Sequence, residues 1–168
     1  MKSERNDVSQ SRLHYLFDYE VDSGRFIRKI KTAGRVRVGD NAGTRHNKGY
    51  WLIMVDGVLY LRHRLAWLYV TGEWPEHEVD HVDMDRANDA WSNLRAATAS
   101  ENQSNRRIRP DNKIGLKGVS RASRTTFWSS VSHQGKTTYL GTTTCPAAAH
   151  LRYVVEADKL FGEYSRVR

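Results

Sequence analysis

Apolar residues in this chain come in short bursts separated by polar or glycine-bearing turns, and the spacing inside each burst changes along the sequence. Residues 1 to about 10 are polar and read as a frayed end. From Arg12 to Tyr19, Leu13, Leu16 and Phe17 share a helical face, which predicts a short helix or turn. Asp22-Ser23-Gly24 reads as a turn, and Arg25 to Lys31 as a strand with Phe26 and Ile30 on one side. Gly34 to Gly43 reads as a glycine-punctuated strand and loop. Two apolar runs, Gly49 to Val55 and Val58 to Leu61, flank Asp56-Gly57, a dipeptide whose backbone preferences favour the tight turn of a hairpin. A small antiparallel sheet is therefore expected across about 25 to 62. A helix is expected from His63 to Val70, burying Leu65, Leu68 and Tyr69.

After a strand-like Glu78-Val79, the pattern places Asp80 and His81 side by side before a polar loop rich in turn formers. A helix start fits at Trp91-Ser92-Asn93, and the run Asn93 to Ser104 carries Leu94, Ala97 and Thr98 at helical spacing. That is a ββα-like layout with Asp80 and His81 at one end and the carboxamides of Asn93 and Asn102 at the other. Asp and Asn oxygens suit a hard divalent cation such as Mg²⁺, and a neighbouring imidazole is suited to take a proton from water. Taken singly, Asn93 before Leu94 also reads as a helix cap.

Beyond Asn102 the pattern changes again. Gln103 to Gly118 is basic, contains Pro110 and Gly115, and reads as an extended linker. Gly118 to Arg121, Thr126 to His133 and Lys136 to Gly141 read as three strands, the last two joined at Gln134-Gly135. A helix follows from about Pro146 to Phe161, with Ala149, Tyr153, Ala157 and Leu160 on one face and Gly162 closing it. Alternation puts Phe127, Ser129 and Val131 inward, and turns Trp128, Ser130, Ser132 and Tyr139 outward. Three strands backed by one amphipathic helix make a minimal two-layer unit.

Composition adds a partner class. A formal charge of +8 over 168 residues points to an anionic partner, with nucleic acid first. Between Arg25 and Lys48 acidic residues are scarce, so Arg28, Lys29, Lys31, Arg35, Arg37, Arg45 and Lys48 form a set suited to a phosphate backbone, with His46 or Tyr50 at its edge. Arg106, Arg107, Arg109 and Lys113 are candidates for the same role in the linker, and Arg121, Arg124, Trp128, Lys136 and Tyr139 in the last unit. Cys145 is the sole cysteine, which excludes a disulfide framework and a cysteine-built structural zinc. No apolar run approaches membrane-spanning length and the start has no signal-peptide core, so a cytoplasmic protein without membrane partners is expected.

The segment around Asp80 resembles the HNH nuclease family, in particular its phage and intron-encoded homing branch. The likeness rests on Asp80-His81, Asn93-Leu94-Arg95 and Glu101-Asn102, and extends upstream to His63-Arg64-Leu65-Ala66-Trp67 and Thr71-Gly72-Glu73-Trp74-Pro75. The resemblance implies that His81 is the general base, that Asn93 braces the metal-binding loop and orients the His81 ring, and that Asp80 and Asn102 ligate the metal. Many family members carry His at the last position; the amide oxygen of Asn102 favours Mg²⁺ or Mn²⁺. His63 is expected to pack or hydrogen-bond beneath the site rather than to bind metal. The order from Gly118-Val119-Ser120 to Leu160-Phe161-Gly162-Glu163-Tyr164 resembles the ethylene-response-factor (integrase-type) DNA-binding domain, whose sheet enters the major groove and which occurs as a tail on phage HNH proteins.

The fold class expected is α+β: an N-terminal antiparallel sheet leading into a ββα-metal HNH module, then a small three-stranded sheet packed on one helix. The division expected is 1–105 nuclease, 106–117 basic linker and 118–168 DNA-binding domain. The function expected is a metal-dependent, double-stranded-DNA endonuclease of the homing type, acting as a monomer without a small-molecule cofactor. The competing reading is a sequence-reading DNA-binding regulator whose HNH centre is inactive.

Overall fold

The computed structural model describes residues 8–165. The expected frayed start falls, for residues 1–7, outside the described residues. Val8 is buried and Ser9 caps a helix, so order begins earlier than the polar composition implies. The chain divides into two compact units, residues 1–96 and 97–168. The architecture is mixed helix and sheet, with several small antiparallel sheets. Among the described residues no helix is long and apolar enough to cross a membrane.

In the first unit, helix α1 (Gln10–Leu16) starts where the Ser9 hydroxyl accepts the Arg12 N–H at 3.2 Å. It ends sooner than expected, because from Phe17 the burial period switches to two. Phe17 and Tyr19 point in while Asp18 and Glu20 point out, forming strand β1 (Phe17–Glu20). Strand β2 (Arg25–Arg28) pairs antiparallel with β1. A second sheet holds β3 (Thr44–Arg45), β4 (Trp51–Val55) and β5 (Val58–Leu61) in that order. The one sheet expected across 25 to 62 is thus two, and the chain between β2 and β3 runs through turns, with a single bridge from Ile27 to Asn41. The β4–β5 turn is the expected one: Asp56 and Gly57 both have positive φ, 48° and 83°, whose twist matches the flanking strands.

Helix α2 (Arg62–Thr71) buries Leu65, Ala66 and Leu68 and closes on Gly72. With Leu13, Phe17, Phe26 and Ile53 these form the core of the unit. Phe26 is the hub of its aromatic part, 4.9 Å from Tyr19 and 5.8 Å from both Phe17 and Tyr69, ring centre to ring centre. Each such fully buried side chain contributes roughly 2 kcal/mol.

Strand β6 (Glu78–His81) pairs with β7 (Leu94–Ala97), which follows a 3₁₀ turn at Trp91–Asn93. The single helix expected from Asn93 to Ser104 does not form. Its first residues are taken by sheet pairing to β6, and the helix α3 (Ala99–Asn105) starts at a capping box: Thr98 accepts from the Glu101 N–H and the Glu101 carboxylate accepts from the Thr98 N–H.

In the second unit, α3 is followed by β8 (Val119–Arg121), β9 (Phe127–His133), β10 (Lys136–Thr143) and helix α4 (Pro146–Phe161). The sheet order is β10-β9-β8. Phe127, Ser129 and Val131 are buried as alternation predicts, and α4 lays Ala149, Tyr153, Ala157 and Phe161 toward the sheet, Leu160 being half-buried beside them. Residues 106–117, expected as an extended linker, run in turns. Asn112 donates to the Leu116 carbonyl at 2.9 Å, Ile114 and Leu116 pack against Val119, Phe127 and Ala149, and the Lys117 ammonium donates to the carbonyls of Ser104 and Arg106.

Candidate active site

Strand β6 carries Asp80 and His81 at its C-terminal end. Pairing to β7 on one side and packing on the core through Val79 hold the strand end, and Asp80 and His81 are both buried. The loop that follows is short of apolar anchors, so its own polar groups fix it. The Asn93 Oδ1 accepts the Asp83 N–H at 3.0 Å, while the Asn93 amide donates to Asp83 Oδ1 at 2.9 Å and to the Asn88 carbonyl at 2.8 Å. Asn88 donates to Asp83 Oδ2 at 2.7 Å, and the Val82 N–H reaches the Asn93 carbonyl at 2.9 Å. Asn93 therefore ties both ends of the 82–93 loop together. Desolvation alone would push the Asp83 carboxyl up, but the hydrogen bonds from Asn88, Asn93 and the Asp85 N–H outweigh it and hold Asp83 below the usual carboxylate range.

The His81 ring lies in a layer of buried side chains. Its Nε2 is 2.8 Å from Asp89 Oδ1, and Arg62 Nε donates to Asp89 Oδ2 at 2.6 Å. Asp89 is fully buried and Arg62 nearly so. His63 stands edge-on to His81 at 4.9 Å between ring centres, and the Tyr50 ring lies 5.3 Å from His63 and 6.1 Å from His81. The Arg86 guanidinium covers Tyr50 at 4.9 Å. Burial, then the neighbouring His81, pushes His63 down to about 3, so it is neutral, and its buried Nδ1 makes no hydrogen bond. His63 thus packs beneath His81, as expected.

Two groups of side chains are suited to a cation. Arg95 donates to Asp80 Oδ2 through Nε at 3.2 Å and through a terminal nitrogen at 3.0 Å, so positive charge already sits on that carboxylate. His63, His81 and Asp89 bring two imidazoles and a carboxylate within 4.8 Å of one another. In both places the carboxylate is already matched by an arginine, Asp89 by the buried Arg62 and Asp80 by Arg95, so a dication would sit beside like charge in either. Asp80 has the harder, oxygen-only character. Asn102 lies half-buried on α3, in the second unit.

The remaining candidates sit in the second unit. Arg106, Arg107, Arg109 and Arg121, with Lys113 and Lys117, line a cleft of about 720 Å³. Arg121 also lies over Phe127 at 5.1 Å and donates to the Arg124 carbonyl at 3.3 Å. Half-buried Trp128 and exposed Tyr139 share the outer face of β9 and β10, ring centres 6.2 Å apart, and Lys136 is exposed beside the turn at the start of β10. Of the N-terminal basic set, Lys29 is paired with Asp18 at 3.3 Å.

Sequence reasoning did not find Arg62 and Asp89. Asp89 sits in the same polar loop as Asp83, Asp85, Asn88 and Asn93, and nothing local distinguishes the acidic residue that turns inward. Its partner Arg62 lies 27 positions earlier, so the pairing is a product of the fold.

Residues 60–104 match the family model described as HNH endonuclease. The chain is 36% identical over 77 residues to protein 3.8 of Escherichia phage T7, covering 45% of this chain and 64% of that one. It is 30% identical over 118 residues to an uncharacterized HNH endonuclease of Acanthamoeba polyphaga mimivirus, covering 70% of this chain and 61% of that one. The chain therefore spans less than two thirds of each relative's length. No solved structure matches. The segment that holds α2, Asp80, His81 and the Asn93-tied loop is thus the segment that matches the HNH endonuclease family.

Proposed function

We propose that the chain is a metal-dependent endonuclease of the homing type that hydrolyses phosphodiester bonds in double-stranded DNA. The observation that carries this reading is His81 at the end of β6, held beside a loop that Asn93 ties shut, within the segment matching the HNH endonuclease family. In the proposed reaction His81 takes a proton from water, the hydroxide attacks phosphorus, and the bond from phosphorus to the 3′ oxygen breaks, leaving a 5′ phosphate and a 3′ hydroxyl protonated from solvent. Asn93 keeps the loop beside His81 from moving. Asp80 and Asn102 are the proposed ligands of the divalent ion, Mg²⁺ or Mn²⁺ by their oxygen donors. When bound, that ion stabilises the charge that builds on the phosphoryl group. Arg95, which donates to Asp80 Oδ2, is proposed to help hold the phosphate.

The second unit is proposed to be the DNA reader of ethylene-response-factor type. Its support is the outer-face aromatic pair of half-buried Trp128 and exposed Tyr139 and the basic cleft lined by Arg106, Arg107, Arg109 and Arg121. Arg124 and Lys136 are proposed as further phosphate contacts. The test is nicking of supercoiled plasmid by the purified full chain with Mg²⁺. Conversion to open circles that EDTA stops is the expected result. Plasmid binding without any cut, in Mg²⁺ and in Mn²⁺, overturns the enzyme reading in favour of a DNA-binding regulator.

A further inference from the structure

We infer that Asp89 is a positioning residue for His81, with Arg62 as its counter-ion; this rests on the reading of His81 as the base. Both oxygens of the Asp89 carboxylate are engaged, Oδ1 with His81 Nε2 at 2.8 Å and Oδ2 with Arg62 Nε at 2.6 Å. Arg62 is itself anchored, donating to the Ala87 carbonyl at 3.0 Å and lying over the Trp51 ring at 4.8 Å.

The Asp89 backbone is fixed just as firmly. Its carbonyl accepts the Tyr19 hydroxyl at 2.7 Å. Gly24, at φ +68°, packs so closely that a Cβ there would lie 2.1 Å from the Asp89 carbonyl carbon. Strand β1 and the turn after it thus fix the Asp89 backbone while helix α2 holds its carboxylate.

An ionised carboxylate only accepts hydrogen bonds, so a neutral His81 must carry its proton on Nε2 to meet Asp89. The lone pair is then on Nδ1. When Nδ1 gains the water proton, a new N–H bond forms at His81 as the water O–H bond breaks, and Asp89 stays ionised beside both the imidazolium and Arg62. The carboxylate selects the tautomer, sets the ring plane and stabilises the cation that forms, the division of labour seen in serine hydrolase triads.

The test uses full-length protein labelled with ¹⁵N-histidine. The His81 ring signals, identified by their loss in His81→Ala, are expected to report the Nε2–H tautomer. Removing Asp89 alone strands the buried Arg62 charge, so the variant for activity is Arg62→Met with Asp89→Asn, which changes both together. It is expected to lose the single tautomer and to nick plasmid about 10²-fold more slowly, with KM within about twofold. A wild-type His81 ring protonated on Nδ1 overturns the inference, and so does a folded double variant that cuts at the wild-type rate. If His81→Ala itself cuts at the wild-type rate, the base reading fails. If His81→Ala is inactive and the double variant is not, only the role of Asp89 fails.

Discussion

At the scale of single residues, the site combines groups that touch the proposed reaction with groups that only keep them in place. His81→Ala should reduce nicking by about 10²–10⁴-fold while DNA affinity changes little, because a general base lowers the barrier and contributes little to binding. Nicking rates and a DNA titration of the same preparation check it; cutting at the wild-type rate sinks the assignment. His63 gives a prediction in pH. Its folded value of about 3 lies below the ordinary 6.5, so between those limits the unfolded chain binds a proton that the folded chain refuses. Stability from this group is complete above about pH 6.5 and falls as pH drops toward 3, by at most about 1.4 kcal/mol per pH unit. His63→Phe, which cannot titrate, should flatten that acid slope in denaturant unfolding measured from pH 7 to 4. An identical slope in both proteins would mean that His63 is not held neutral.

At the scale of elements, what was legible in the sequence and what was not divides by whether a local pattern had a competitor. The β4–β5 hairpin, α2 and the whole of β8 to α4 could be read because turn residues and period agreed there. Around Leu94 two patterns competed. Leu94, Ala97 and Thr98 fit a helix, but Leu94 and Ala97 are also the buried ends of a four-residue strand, and pairing with β6 settles the matter from outside the segment. The Thr98–Glu101 capping box was the overlooked sign of where the helix starts. Asp80, His81 and Asn93 could be singled out by type and spacing, whereas Asp89 and Arg62 could not, since only the fold brings them together. Two tests belong here. Thr98→Ala removes the cap of α3 and should cost about 1 kcal/mol of stability in the second unit. Asn93→Ala deletes three side-chain hydrogen bonds that close the 82–93 loop, so it should destabilise the first unit by about 1–3 kcal/mol and slow nicking as well. Thermal melts of both variants decide; a loop variant with unchanged melting and unchanged nicking would show that the loop does not need its asparagine.

At the scale of the whole molecule, the boundary between the two compact units falls at residues 96 and 97, ahead of α3, and this changes what a truncation should do. A chain ending near Pro110 keeps the first unit with its own core of Leu13, Phe17, Phe26, Ile53 and Leu65. It should therefore still unfold cooperatively. The same cut leaves α3 without the partners it has in the second unit: the Lys117 ammonium on the Ser104 carbonyl, and the Gln134 N–H that the Ser100 hydroxyl accepts at 3.2 Å. Seven residues of helix are too few to hold their shape alone. Asn102, the second proposed ligand, lies on that helix, so the fragment should need far more Mg²⁺ or lose cutting altogether, as Asn102→Ala and Asp80→Ala should in the full chain. It also lacks Arg121, Arg124, Trp128, Lys136 and Tyr139, so its DNA binding should weaken and fall less steeply with salt, because fewer phosphates are neutralised. Mg²⁺ titrations of nicking and a salt series of DNA binding, on full chain and fragment side by side, separate the two losses. A fragment that cuts with unchanged Mg²⁺ requirement would remove Asn102 from the metal, and an unchanged salt slope would remove the second unit from the DNA.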